Sequence, residues 1–330
     1  MNCYYQGVKP LKRILITGGA GFIGSNLTRS LIGQGHSVVV LDDFSTGLAS
    51  NLSGLDVDVF EGSITAPSLV EKAAAQVDAI VHLAARGSVP RSLRNPRATF
   101  AVNVEGTLNI CEVARLKSIP VIFSSSSSVY GANTRDKKIE NEWLSPLSPY
   151  AASKLSGEGT VVSFARSFGI QTGVFRLFNV YGPGQRPEHQ YSAVIPKWIW
   201  AAIRGEELKV FGDGKTSRDF TYIDDVVQVL GSCVSEDRYF DGVTNLAFGN
   251  PVTLLDVIDE IRELQPNISL IHSETRPGDI RNSDNGSLRL RELFPEVQPT
   301  TLREGIVHTK EWLSSMREEI EAHPLLVSDD

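Results

Sequence analysis

A doubly wound parallel α/β sheet carrying a smaller C-terminal substrate-binding lobe is the fold class this sequence predicts. Three observations lead there. Short apolar, β-branched runs recur between Arg13 and Phe248, helical patterns separate most of them, and the first run meets a string of glycines before the first helix. Strands alternating with helices in this way build a sheet covered on both faces, rather than a sandwich or a bundle. With 330 residues, 41% of them hydrophobic, the chain can bury a large core.

Arg13-Ile14-Leu15-Ile16-Thr17 reads as a buried strand. A helix is expected from about Phe22 to Ile32, with Phe22, Ile23, Leu27 and Leu31 on its apolar face and Gly35 as its stop. His36 to Leu41 is a second strand ending in Asp42-Asp43, which completes one βαβ unit. Further strands are expected at Val57 to Phe60, Ala79 to Leu83, Val121 to Phe123, Gly173 to Leu177 and Thr244 to Phe248, and helices at Val102 to Leu116 and Pro149 to Phe168. The texture changes at Asn179. Tyr181 to Pro187 is a turn-rich loop, an amphipathic stretch spans Ile195 to Ile203, and Leu208 to Phe211, Gly212-Asp213-Gly214 and the tail beyond about Leu254 leave the repeat. The expected division is residues 1–178 with about 218–258 for one lobe, and 179–217 with about 259–330 for the other.

Thirty-two Lys and Arg face 39 Asp and Glu, a net charge of −7 without a basic run, which argues against a nucleic-acid partner. The opening MNCYYQGVKPLKR lacks an apolar signal core, and no stretch reaches the roughly 18 apolar residues of a membrane span. A cytoplasmic protein with no membrane partner is expected. Cys3, Cys111 and Cys233 have no metal-ligand spacing, so no metal is expected, and their odd number suits a reducing compartment.

Thr17-Gly18-Gly19-Ala20-Gly21-Phe22-Ile23-Gly24 sets glycines at G-x-x-G-x-x-G spacing between a strand and a helix. Gly18 permits the tight turn, Gly21 lets the backbone approach a pyrophosphate, and Gly24 lets helix and strand pack closely. The amides at the helix start then face the phosphates. Asp42 lies about twenty residues on, where its carboxylate can accept from the adenosine ribose and repel a 2′-phosphate; Asp43 is the alternative. A Rossmann-like dinucleotide site that prefers NAD follows.

Tyr150 and Lys154 stand four apart, on one face of a helix. An ammonium beside a phenol stabilises phenolate and lowers its pKa, so such a Tyr can take a proton from a hydroxyl as hydride leaves the same carbon. The run Ser124 to Ser128 should emerge at the carboxyl end of the sheet, where ligands bind in such folds.

With TGGAGFIG, HLAA at 82 to 85, SSSSSVYG, YAASK, RLFNVYGPGQRP and GDGKTSRDFTYIDD, the chain resembles the extended short-chain dehydrogenase/reductase family, and within it the NAD-dependent nucleotide-sugar 4-epimerases. The resemblance implies that Tyr150 is the base, that Lys154 lowers its pKa and binds the nicotinamide ribose, and that Ser126 bonds the reacting sugar oxygen. It implies that Phe22, Ile23, Leu83, Ala84 and Ala85 join Gly18, Gly21, Gly24, Asp42 and Asp43 around NAD. Proton transfer from the sugar 4-hydroxyl to Tyr150 would accompany hydride transfer from C4 to NAD⁺, and the 4-keto sugar would turn over and take hydride back on its other face. Family helices like Val102 to Leu116 and Pro149 to Phe168 pair two subunits, which implies a homodimer, although covering the sheet explains their apolar faces equally well.

Related dehydratases carry an Asp-Glu pair, and decarboxylases a Glu, where this chain has Ser127 and Ser128, so simple 4-epimerisation is expected. Asn179, Arg218 and Arg276 match positions that hold the nucleotide diphosphate, and Arg86 falls on the substrate side. A small Ser283 leaves room for an enlarged sugar. Arg186 with Ser127 and Ser128 suits a C6 carboxylate and favours UDP-glucuronate or UDP-galacturonate, while UDP-N-acetylglucosamine and UDP-glucose stay open. A non-catalytic NAD-binding regulator is the alternative from another class.

Overall fold

Seven strands form the expected sheet: β1 (Arg13–Thr17), β2 (Ser37–Asp42), β3 (Val57–Glu61), β4 (Ala79–His82), β5 (Val121–Ser126), β6 (Thr172–Leu177) and β7 (Val243–Leu246). The computed structural model describes residues 10–187, 193–274 and 282–322. The strand order is β7-β6-β5-β4-β1-β2-β3, with every neighbouring pair parallel. The order reverses between β1 and β4, the switch point at which such sheets open a crevice beyond their carboxyl ends.

Both faces are covered because the central strands carry apolar residues at successive positions. Ile14, Ile16, Val38 and Val40 join one core, and Leu15, Val39 and Leu41 join another on the opposite face. The helices Phe22–Gly33 and Ile223–Ser235 pack together, as do Thr107–Lys117 and Pro149–Phe168. The first core runs on through Trp198, Leu208, Ile258 and Ile306 into the elements beyond the sheet. There the helices Val194–Arg204, Leu254–Leu264 and Leu302–Ser315 pack on one another. Two of them start at full capping boxes, Thr253 with Asp256 and Thr301 with Glu304.

Short strands bring distant segments together. Pro251–Thr253, Ser217–Asp219, Asn282–Asn285 and Lys137–Lys138 form one small sheet in that order, and Leu208–Phe211 pairs with Leu270–Ser273. One expected helix differs. Ala101–Gly106 forms a wide π-helical turn before Thr107–Lys117 begins. Asn103 in that turn is buried, accepts from the Arg86 amide at 2.8 Å and donates to the Ser153 hydroxyl at 2.9 Å. The helix thus opens where its backbone leans on the loop after β4 and on the helix Pro149–Phe168.

Candidate active site

The glycine loop shapes a cleft at the switch point. Gly18 has φ +72°, and a Cβ there would lie 2.7 Å from the Ala84 amide nitrogen, so only glycine allows the β1 and β4 loops to meet. A Cβ on Gly24 would sit 2.1 Å from the Gly18 carbonyl oxygen, which confirms its helix-packing role. Gly21 caps the helix Phe22–Gly33, and a Cβ there would approach only the Gly18 oxygen, at 3.2 Å, and otherwise project toward the cleft. Phe22 and Ile23 supply the first helical amides. Asp42, Asp43, Leu83, Ala84 and Ala85 line the cleft with Gly18 and Gly21.

Asp42 is buried at the end of β2, with Oδ2 accepting from the Ala20 amide and Oδ1 from the Phe44 amide, both at 2.9 Å. These bonds hold the carboxylate at the cleft wall and leave it lone pairs for ribose hydroxyls. Burial raises its pKa, and the two amides counter that. Asp43 is exposed and accepts from the Ser45 amide, so Asp42 is the better-placed acceptor. Arg86 lines this same cleft. The loop after β4 carries it there together with Leu83, Ala84 and Ala85.

The reacting groups come from β5 and one helix. Ser148 accepts from the Ala151 amide at 3.1 Å, and with Pro149 behind it fixes the start of the helix Pro149–Phe168. Tyr150 stands in the first turn and Lys154 one turn on. Ser126 ends β5, with its hydroxyl near enough to Tyr150 to act on the phenol. Burial raises the Tyr150 pKa, and the Ser126 hydroxyl works against that rise. The Lys154 ammonium, one turn on, lies over the Phe123 ring, 4.7 Å from its centroid. Burial in turn pushes Lys154 down to about 8, against the pull of Glu158.

A cavity of about 570 Å³ opens among the elements beyond the sheet, lined by Asn179, Lys197, Trp198, Lys209, Arg218 and Phe220 among others. Asn179 has φ +36°, a left-handed conformation that Asn tolerates and a β-branched residue resists, and its Nδ2 donates to the Asp219 carbonyl at 2.9 Å. That bond ties it to the strand carrying Arg218, whose register partner is Ser283. Arg276 lies outside the described residues.

The profile of the NAD dependent epimerase/dehydratase family matches residues 14–238. The chain belongs to this family. It is 35% identical over 313 residues to the UDP-glucose 4-epimerase of Mycolicibacterium smegmatis, spanning 91% of this chain and 98% of that protein. The structure of the UDP-N-acetylglucosamine 4-epimerase from Methanobrevibacter ruminantium M1 matches at TM-score 0.87 and 34% identity, over 93% and 99% of the two chains. That of MoeE5 in complex with UDP-glucuronic acid and NAD matches at TM-score 0.80 and 31% identity, over 92% and 99%. Decarboxylases are also among its relatives.

As a member of the family the chain is NAD-dependent, and the cleft fits that cofactor through its glycines and Asp42. Two cationic residues of the cavity, Lys197 and Lys209, escaped the sequence analysis. Their signal was present: Lys209 is the exposed residue of an alternating strand, and Lys197 interrupts an otherwise apolar helix. Arg186 donates to the Ile320 carbonyl at 3.2 Å, which binds the turn-rich loop to the helix Arg317–Ala322. Ser127 and Ser128 form the short turn after β5, half-buried beside Ser126. Among the described residues no group of His, Cys, Asp and Glu is arranged to hold a metal, and no helix is long and apolar enough to cross a membrane.

Proposed function

We propose that this chain inverts C4 of a UDP-sugar, with UDP-glucuronate and UDP-galacturonate as the preferred pair. The observation that carries the reading is the end of β5. Ser126 joins Tyr150 there, and the next two positions offer the hydroxyls of Ser127 and Ser128. Elimination of water needs an acid and a base beside C5 and C6, and hydroxyls of ordinary pKa supply neither. They do suit hydrogen bonds to a C6 carboxylate, Ser128 by turning its hydroxyl from Ser126 to the substrate.

Bound NAD supplies the acceptor, then the donor, of hydride. Tyr150 takes the proton of the 4-hydroxyl and returns it. Ser126 gives its one proton to the Tyr150 phenolate, and turns that donation to the sugar oxygen once Tyr150 carries the proton. Lys154 presents a buried positive charge one turn away. Arg218 and Asn179 hold the diphosphate in the 570 Å³ cavity, with Lys197 and Lys209 adding positive charge. The sheet and its helices form the cofactor lobe, and the elements around the cavity form the sugar lobe. A second reading, UDP-N-acetylglucosamine, is favoured by the small Ser283 beside Arg218 and by the 34% identity to an epimerase of that sugar.

A homodimer is part of the proposal, since Leu108, Leu116 and Phe168 leave apolar surface exposed on the helices Thr107–Lys117 and Pro149–Phe168. The buried free thiols of Cys111 and Cys233 support a cytoplasmic setting. The test is incubation of the purified protein with UDP-glucuronate, UDP-N-acetylglucosamine and UDP-glucose, following the 4-epimers by NMR. Fastest turnover of UDP-glucuronate is expected; faster turnover of either neutral sugar overturns the preference.

A further inference from the structure

A buried ion pair lies one turn beyond Lys154, and the reaction described above makes no use of it. Glu158, on the helix Pro149–Phe168, is gripped by Arg176 of β6: Nη2 donates to Oε1 at 2.6 Å and Nε to Oε2 at 3.0 Å. The two side chains are only 6% and 3% exposed. Oε2 also accepts from the Ser125 hydroxyl at 2.7 Å. The Arg176 Nη1 donates to the Tyr130 hydroxyl at 2.9 Å, which donates in turn to Asn245 at 2.7 Å. One carboxylate is therefore bonded to the residue before Ser126 and stands four residues after Lys154. Burying an ion pair is a poor route to stability, because the desolvation cost rivals the attraction. Its place between the two arms of the reacting group points to another use.

We propose that Glu158, clamped by Arg176, is a positioning residue that supplies the negative charge facing Lys154 and locks the Ser125–Ser126 strand end onto the catalytic helix. The inference rests on the reading of the chain as a UDP-sugar 4-epimerase. The groups around Lys154 support it. The Phe123 ring faces it from β5, its charge acts on His82 of β4, and Tyr150 and Glu158 share its helix. His82 is neutral, with burial holding its pKa near 3 and the hydroxyls of Thr17 and Thr107 on its two nitrogens. Arg176 is engaged by Glu158 and by Tyr130. Among the described residues, Glu158 is the negative charge that opposes the burial of the Lys154 ammonium.

The test compares the NAD-loaded protein with Glu158→Gln, which keeps the shape and an acceptor for Ser125 while removing the charge. The ¹³Cε resonance of Lys154, assigned through Lys154→Met, is titrated, and kcat and KM for UDP-glucuronate are followed against pH. The Lys154 midpoint and the alkaline limb of kcat are both expected to move down by about one pH unit, with KM changed less than about twofold. Glu158→Asp, which keeps the charge, is expected to restore the limb. The double variant Glu158→Leu/Arg176→Met removes both members of the ion pair and so leaves neither partner unpaired; it is expected to fold and to show the same downward shift. An unmoved Lys154 titration in folded Glu158→Gln, or in the double variant should the single one not fold, overturns the inference. Absence of turnover on every UDP-sugar would overturn the functional reading instead, while the ¹³C titration would still decide the role of Glu158.

Discussion

Ser126 accepts two hydrogen bonds from Ser128, one from its amide at 3.2 Å and one from its hydroxyl at 2.9 Å. A serine hydroxyl has two acceptor sites and one proton, so with both sites filled the proton of Ser126 is left to donate. Tyr150 is the group it meets. The short turn after β5 thus polarises the serine toward the phenol, and a phenolate gains what the neutral phenol does not.

Removing the Ser126 hydroxyl should therefore raise the Tyr150 pKa and slow proton transfer. For Ser126→Ala we expect kcat to fall by about 10² with the pH profile displaced upward, and for Ser128→Ala a loss of less than about tenfold. Tyr150→Phe should lose at least about 10² in turnover while still binding NAD. Steady-state kinetics checks the first two, and NADH fluorescence the retained binding. Unchanged turnover in Tyr150→Phe would favour a non-catalytic NAD-binding protein.

The glycine loop separates a packing role from a ligand role. A methyl group at Gly24 collides with backbone at 2.1 Å, whereas at Gly21 it meets only one carbonyl oxygen at 3.2 Å. Gly24→Ala is expected to cost about 1–3 kcal/mol of stability and to lower the unfolding temperature. Gly21→Ala should unfold close to the parent temperature yet bind NAD at least about tenfold more weakly, since its methyl intrudes on the pyrophosphate approach. Thermal unfolding and cofactor titration on the two variants decide between these roles; equal unfolding temperatures would contradict the packing argument.

Lys154 makes activity and stability respond to pH in opposite directions. Burial lowers its pKa from 10.5 to about 8. Below about 8 it is charged in both folded and unfolded chains, and the full cost of burying that charge, roughly 3 kcal/mol, is present. Between 8 and 10.5 the unfolded chain holds more proton on this residue than the folded one, so its contribution to stability improves as pH rises. In the proposed reaction turnover uses the charged form, so it should fall across the same window. Lys154→Met is expected to be nearly inactive and to unfold at a higher temperature than the parent at pH 7, which calorimetry and turnover measure together. A lower unfolding temperature would show that the ammonium stabilises the fold.

What was legible in the sequence was local. The seven strands, the glycine turn and the pairing of Tyr150 with Lys154 depend on residues within one or two turns of each other, where spacing dictates geometry. What was not legible depended on distant partners. Arg186 reaches Ile320, 134 residues on, and Arg176 meets Glu158 across a strand-helix interface. The placement of Arg86 in the cofactor cleft and the widened turn at Ala101–Gly106 both follow from Asn103 bonding the Arg86 backbone, a contact that no periodicity announces. The surroundings of Lys154 are of the same kind: the helix sets its spacing from Tyr150, but the Phe123 ring it lies over comes from β5.

Sugar choice is tested most directly at Ser283. It pairs in register with Arg218, so a side chain there borders the strand that carries the arginine proposed to hold the diphosphate. Serine leaves volume beside the sugar, and a tyrosine in its place would fill that volume with a ring. For Ser283→Tyr we expect kcat/KM for UDP-N-acetylglucosamine to fall by about tenfold or more, while UDP-glucuronate and UDP-glucose, which carry only a hydroxyl at C2, change less than about threefold. Competition between the three substrates in one NMR experiment measures the ratios without comparing enzyme preparations. A uniform loss across all three would mean that the position supports the Arg218 strand rather than the sugar, because a displaced arginine weakens every UDP-sugar alike.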